Sequence, residues 1–268
     1  MRPRHLRAER GSEAWRMTDR QIAAVKHGAT TMKSFSDTKP AEIFDNSKCG
    51  TEAKLKNFSK YVRRHDIARF ITQYELFKRI LHIKGSVVEC GVHHGGGVMA
   101  WAKLSETLEP YNYRRKIFGF DTFEGFPTVN DADLPGGVAK PGLFKESYDI
   151  FAELQSCIDD FNKTRPITHE DKVILVKGDA NLTIPKFLDE NQHVLVALLY
   201  LDFDIYEPTL TALKHFIPRM PKGAIVAFDE ANNPNWPGET KALLESLELN
   251  DYTLESSPHE PNISWITL

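Results

Sequence analysis

The run Val194–Leu201 (VLVALLYL) constrains the fold more than any other part of this 268-residue chain. It is an almost unbroken apolar stretch between polar flanks. That pattern belongs to a strand covered on both faces, the setting of a central strand in a parallel sheet. Shorter apolar segments recur around it. Ser86–Glu89, Lys116–Phe120, Lys172–Val176 and Ala224–Phe228 read as strands, and Gly95–Glu106, Pro208–Phe216 and Glu239–Leu247 as helices. Tyr252–Glu255 and Ile263–Leu268 are expected to pair antiparallel at one edge. The alternation predicts an α/β fold with a doubly wound, mostly parallel, seven-stranded sheet.

Ahead of the first strand, Ile67, Phe70, Ile71, Tyr74, Phe77 and Leu81 recur at three- and four-residue steps, predicting an amphipathic helix within Lys54–Leu81. Residues 1–50 are polar and lack periodicity. They read as an arm with a short helix near Asp19–His27, because so few apolar groups cannot offset the entropy of ordering. The expected organisation is an arm over 1–50 and one catalytic domain over 51–268. Within that domain Thr122–Ser147, with three prolines, interrupts the rhythm. A loop this long in a compact domain is expected to serve as a lid or binding loop.

Composition narrows the function. A hydrophobic fraction of 41% supports a real core, and a formal net charge of −3 gives no electrostatic reason to expect nucleic acid. No apolar run approaches the roughly 18 residues a membrane span needs. Cys49, Cys90 and Cys157 show no paired spacing and read as free thiols of a reducing compartment. Met1–Arg20 carries arginines but also Glu9 and Glu13 and no apolar stretch, so neither a secretory nor a transit signal is expected. A cytoplasmic protein is the resulting expectation.

The chemistry lies at the strand ends, where open α/β sheets bind ligands. The first strand ends in Glu89 and a glycine turn (ECGVHHGGG), the second in Asp121, the third in Asp179, the fourth in Asp202 and Asp204, and the fifth in Asp229 and Glu230. Every end carries a carboxylate, so acids converge on one rim. The glycine turn has neither the G-x-G-x-x-G spacing of a pyrophosphate site nor the Gly-Lys-Ser/Thr of a P-loop. Its glycines still admit close backbone approach, and the following helix N-terminus favours a carboxylate. S-adenosylmethionine meets those demands: an amino-acid carboxylate, a cationic sulfonium, a ribose diol and no phosphate. Asp121 suits the diol and Asp179 the adenine amino group. The expected cofactor contacts are Glu89, Cys90, Gly91, Gly95, Asp121, Thr122, Phe123, Gly178, Asp179, Ala180 and Asp202.

LDFDIYEPT (201–209) and FDE (228–230) form a second cluster. Oxygen donors from adjacent strand ends suit a hard cation, magnesium first. Such an ion acidifies and orients a coordinated hydroxyl, whose own pKa is too high for attack at neutral pH. The expected ligands are Asp202 and Asp229, then Glu230, with Asp204 last. Asp202, Asp204 or a nearby histidine is the expected proton acceptor. His93 and His94 read first as caps of backbone groups, and second as candidates for that base.

These motifs resemble the macrocin O-methyltransferase (TylF-like) family. The resemblance runs from about Tyr61 to the C-terminus through VVECGVHHGGG, GFDTFEGFP, VKGDA, LYLDFDIYEPT and AIVAFDE. It implies a Rossmann-like class I methyltransferase fold, S-adenosylmethionine, a magnesium ion held by Asp202 and Asp229, a homo-oligomer, and a deoxysugar or glycoside hydroxyl as acceptor. Two departures stand out: the acidic pair common in the family is Asp-Asp and is Asp229-Glu230 here, and the arginine common in its glycine turn is His94 here. Catechol-type relatives share the three-ligand plan, but their catalytic lysine has no counterpart near Ile205. The rival expectation is a catalytically silent S-adenosylmethionine-binding module that docks a partner protein.

Overall fold

The computed structural model describes residues 39–268, so the helix expected near Asp19–His27 lies outside the described residues. The chain divides into two units, Met1–Arg63 and Arg64–Leu268. The composition change at 50/51 and this division do not coincide. The described part of the first unit holds helices α1 (Pro40–Asn46) and α2 (Thr51–Lys56).

The second unit is a seven-stranded sheet in the order β3-β2-β1-β4-β5-β7-β6. The strands are β1 (Ser86–Cys90), β2 (Ile117–Asp121), β3 (Val173–Lys177), β4 (Val196–Leu201), β5 (Ile225–Phe228), β6 (Glu255–Ser256) and β7 (Ser264–Thr267). The first five run parallel, while β7 pairs antiparallel with β5 and with β6. The expected mostly parallel sheet with an antiparallel edge pair is what is found. All of β4 is buried, as its apolar run requires.

Alternation along the strands splits the core in two. Val87, Ile117, Leu198, Tyr200 and Ala227 face helices α3 (Arg64–Ile80), α4 (Gly96–Leu108) and α5 (Ile150–Thr164). Val88, Phe120, Leu199, Leu201 and Phe228 face α6 (Ala180–Glu190), α7 (Tyr206–Phe216) and α8 (Pro237–Ser246). Period-two alternation puts successive side chains on opposite faces, which is why both layers can be filled from the same strands.

Helices α5 and α6 are additions to the elements expected from the sequence. Helix α5 is capped by Asp149, whose side chain accepts from the Ala152 N–H at 3.0 Å, and buries Ile150, Leu154, Ile158 and Phe161. Helix α6 follows β3 and contains Pro185 in its interior. The stripe on α3 also differs from expectation. Ala68, Thr72, Gln73, Leu76, Phe77 and Ile80 are buried, whereas Phe70 and Ile71 are exposed. The buried face is thus centred about one residue away from the most hydrophobic pattern.

Candidate active site

Strand order reverses between β1 and β4, and a cavity of about 360 Å³ opens there at the carboxyl ends of the strands. The chain leaves β1 through Gly91, which has φ +94; a side chain there would overlap the Asp202 carbonyl. His93 (φ 47) and Gly95 (φ 85) complete the turn into α4. Asp121 organises this turn. Its Oδ2 accepts from the N–H groups of Val92 (2.7 Å) and His93 (2.8 Å), and its Oδ1 from Phe123 (2.7 Å). Behind it, buried Glu89 accepts from the Trp101 indole N–H at 2.6 Å. Burial pushes the Glu89 carboxyl up to about 8.

Of the expected cofactor contacts, Glu89, Gly91, Asp121, Thr122, Phe123, Gly178, Asp179, Ala180 and Asp202 line the cavity. Two do not. The Cys90 side chain sits in the core against the opposite face of the sheet, and only its carbonyl reaches toward the site, accepting the Asp202 N–H at 2.7 Å. Gly95 backs onto Leu154 and serves the turn geometry instead. Asp179 lines the cavity while also capping α6, with Oδ1 accepting from the Asn181 N–H at 2.9 Å.

The acidic cluster stands beside this turn. The Asp229 N–H donates to the Leu201 carbonyl at 3.0 Å, so Asp202 and Asp229 emerge side by side from β4 and β5. The expected three-ligand cage is not assembled. The guanidinium of Arg69, on α3, bridges the pair, contacting Asp202 Oδ2 and Asp229 Oδ1 (2.8 Å) and Oδ2 (3.0 Å). It lies 5.8 Å from the Tyr200 ring centre. Burial works against the Arg69 charge, but the facing Tyr200, Asp202 and Asp229 outweigh it and hold the group protonated. Glu230 turns away and accepts from the Asn233 side-chain amide. Asp204 stands at φ 62, past the end of β4, so it does not continue the strand face. Asp229 and Glu230 do not line the cavity, whereas Arg69, Asp202 and Asp204 do.

Too many carboxyls crowd this corner for one guanidinium. Burial, then the Asp229 charge, raises Asp202 and Asp204 well above the usual carboxylate range. Glu230 is raised to about 7, by burial first. Fully buried Glu239 accepts the Glu230 N–H through Oε1 (2.8 Å), while its Oε2 has no hydrogen-bond partner among the described residues. An orphaned buried carboxylate oxygen is costly unless something positive compensates it. The donor chemistry therefore fits a hard divalent cation, although in this conformation Arg69 stands between the two principal donors.

Thr122, Phe126, Thr128 and Phe144 of the Thr122–Ser147 loop line the cavity, and the loop is fastened down. Asp133, nearly inaccessible, accepts the Tyr206 N–H at 2.8 Å and the Asn130 N–H at 3.0 Å. The Asn130 side chain donates to Glu207 at 2.8 Å, and Phe126 and Phe144 pack on Trp236. The two histidines face the loop instead of capping the turn. His94 Nδ1 lies 2.9 Å from the Tyr148 hydroxyl, and His93, His94 and Glu146 form an exposed group at the mouth.

The strand order, the glycine turn after β1 and the acid after β2 define a class I methyltransferase fold. The chain aligns with the crystal structure of CalS11, a calicheamicin methyltransferase, at TM-score 0.82 and 32% identity, over 97% of this chain and 99% of that one. It belongs to the macrocin-O-methyltransferase (TylF) family, whose model matches residues 68–240. An apo structure of CalS11, described as a TDP-rhamnose 3'-O-methyltransferase of calicheamicin biosynthesis, aligns at TM-score 0.74 and 30% identity over 94% and 96% of the two chains. The mycinamicin III 3''-O-methyltransferase of Micromonospora griseorubida is 28% identical over 151 residues, which span 55% of this chain and only 56% of that relative's length.

Proposed function

We propose that this chain is an S-adenosylmethionine-dependent, magnesium-dependent O-methyltransferase acting on a hydroxyl of a deoxysugar or glycosylated natural product. One observation carries the reading: a glycine-turn cavity at the β1/β4 switch abuts a carboxylate cluster, in a chain similar over nearly its full length to a TDP-rhamnose methyltransferase. S-adenosylmethionine would supply an electrophilic methyl group, and a magnesium ion held by Asp202 and Asp229 would acidify the acceptor hydroxyl.

The chain's own residues do the rest. Asp121 fixes the turn whose backbone would approach the cofactor, and it lines the cavity where the ribose diol would bind. The loop residues lining the cavity would limit water and help align the acceptor oxygen with the methyl carbon, so that alignment would supply much of the rate. Asp204, which lines the cavity beside Asp202, would take the hydroxyl proton as the acceptor oxygen bonds to the methyl carbon and the thioether leaves. The test is a mass-spectrometric screen of nucleotide-linked sugars and glycosides with S-adenosylmethionine and magnesium. A gain of one methyl group is expected on a sugar hydroxyl. Methylation confined to nitrogen or to aromatic acceptors would contradict the reading.

A further inference from the structure

The two carboxylates best placed to hold a cation already hold one. We propose that Arg69 is the resident counter-ion of the Asp202–Asp229 pair, and that a divalent metal binds there only by displacing its guanidinium. The inference rests on the metal dependence proposed above.

Three observations carry it. First, the bridge is bidentate in effect: one guanidinium nitrogen serves Asp202 and another serves Asp229. A planar guanidinium spanning two carboxylates occupies the same donor atoms a metal would use, so both cannot be bound at once. Second, Arg69 compensates the cluster incompletely. One guanidinium faces two carboxylates, Asp202 and Asp229, and Glu239, bonded to the Glu230 N–H, has no hydrogen-bond partner for its Oε2 among the described residues. A doubly charged ion would neutralise more of this charge than a single guanidinium, which gives the exchange its direction. Third, Arg69 has somewhere to go. Its side chain is 30% exposed and lines the cavity, and an arginine on a helix surface can swing its long stem outward without unfolding.

Without metal, the guanidinium keeps the strand ends from repelling one another. Arg69 therefore sets the affinity of the site for the ion as well as its occupancy in the resting protein. Asp229 is not free to rotate away during the exchange, because Tyr200 pins its Oδ1. The moving part is the arginine.

The experiment uses the full chain, stripped with chelator and titrated with manganese(II) while free ion is followed by electron paramagnetic resonance. Wild type is compared with Arg69→Met, which keeps the stem, and Arg69→Lys, whose point charge reaches one carboxylate at a time. The expected order of manganese affinity is wild type weakest, Arg69→Lys between, and Arg69→Met at least tenfold tighter than wild type. Asp229→Asn should abolish binding in each background. Thermal melts supply a second readout: Arg69→Met should melt below wild type in chelator and gain more from added manganese. Equal or weaker manganese binding by Arg69→Met would overturn the exchange, and would mean that Arg69 orders the donors without competing for them. If Arg69→Met does not fold, Arg69→Lys binding no tighter than wild type overturns it equally. Absence of manganese binding in every variant, with S-adenosylhomocysteine still bound, would instead remove the metal reading itself and the exchange with it.

Discussion

The Tyr200 hydroxyl donates to Asp229 Oδ1 at 2.6 Å, so a side chain from the interior of β4 fixes the carboxylate at the end of β5. Both groups are buried, and the bond ties the core to the rim of the site. Tyr200→Phe should cost about 1–3 kcal/mol of stability, because a charged buried acceptor loses its donor. It should lower kcat while leaving S-adenosylhomocysteine affinity within about twofold, since the glycine turn is untouched. Denaturant titration and calorimetry check the two halves; a loss of cofactor affinity equal to the loss of kcat would contradict the assignment.

Asp121 makes the corresponding tie on the cofactor side, with three backbone N–H groups converging on one carboxylate. Asp121→Ala leaves those donors without their acceptor and removes the candidate diol contact. S-adenosylhomocysteine should then bind about 10- to 100-fold more weakly, the equivalent of roughly 1.5–3 kcal/mol. Asp121→Asn should fall between, because its amide nitrogen cannot accept. Calorimetric affinities unchanged in both variants would remove Asp121 from the cofactor site.

Glu89 predicts a pH dependence. An unfolded glutamate titrates near 4.5, while burial raises the folded group to about 8. The folded state therefore binds the proton more tightly. The stability this contributes is fully present below pH 4.5 and is lost as pH rises through about 8. Between pH 6 and pH 8 the wild type should lose about 2 kcal/mol that Glu89→Gln does not lose, since the amide keeps an oxygen for Trp101. Urea titrations of the cofactor-free protein at the two pH values measure it. Parallel losses in both proteins would show that Glu89 ionises normally.

The parallel core is legible because buried parallel strands write themselves as apolar runs; VLVALLYL shows this most clearly. The acids at five strand ends are legible for the same reason, since locating the end of an apolar run also locates the residue just beyond it. Helix α5 carries a readable signal too, a capping Asp149 before Ile150, Leu154, Ile158 and Phe161, but the irregular loop beside it obscures where the helical period begins. Helix α6 is hidden by Pro185, which reads as a breaker. Arg69 is not readable at all. An arginine in an amphipathic helix looks solvated, and its partners lie 133 and 160 residues away. Glu230 illustrates the complementary limit: its position is readable, but nothing in the sequence fixes its side chain on Asn233.

The Thr122–Ser147 loop offers a prediction independent of chemistry. Asp133 fastens the loop to the first residue of α7. Asp133→Ala should leave the Tyr206 and Asn130 N–H groups without partners and expose the loop to proteolysis within 122–147. Added S-adenosylhomocysteine and acceptor should slow cutting in wild type more than in the variant. Identical cleavage of both proteins, with and without ligands, would show that the loop is a passive insertion.

Methyl transfer assisted by a carboxylate-held cation is tested most directly by turnover. The measurement uses S-adenosylmethionine and a sugar acceptor identified in the screen, first in excess chelator and again after magnesium is restored. Turnover should fall to background under chelation and return with magnesium, while S-adenosylhomocysteine binding stays largely unchanged in both conditions. Full turnover under chelation would contradict it, leaving Arg69 as the cation of the site and Asp204 or a histidine as a base acting alone.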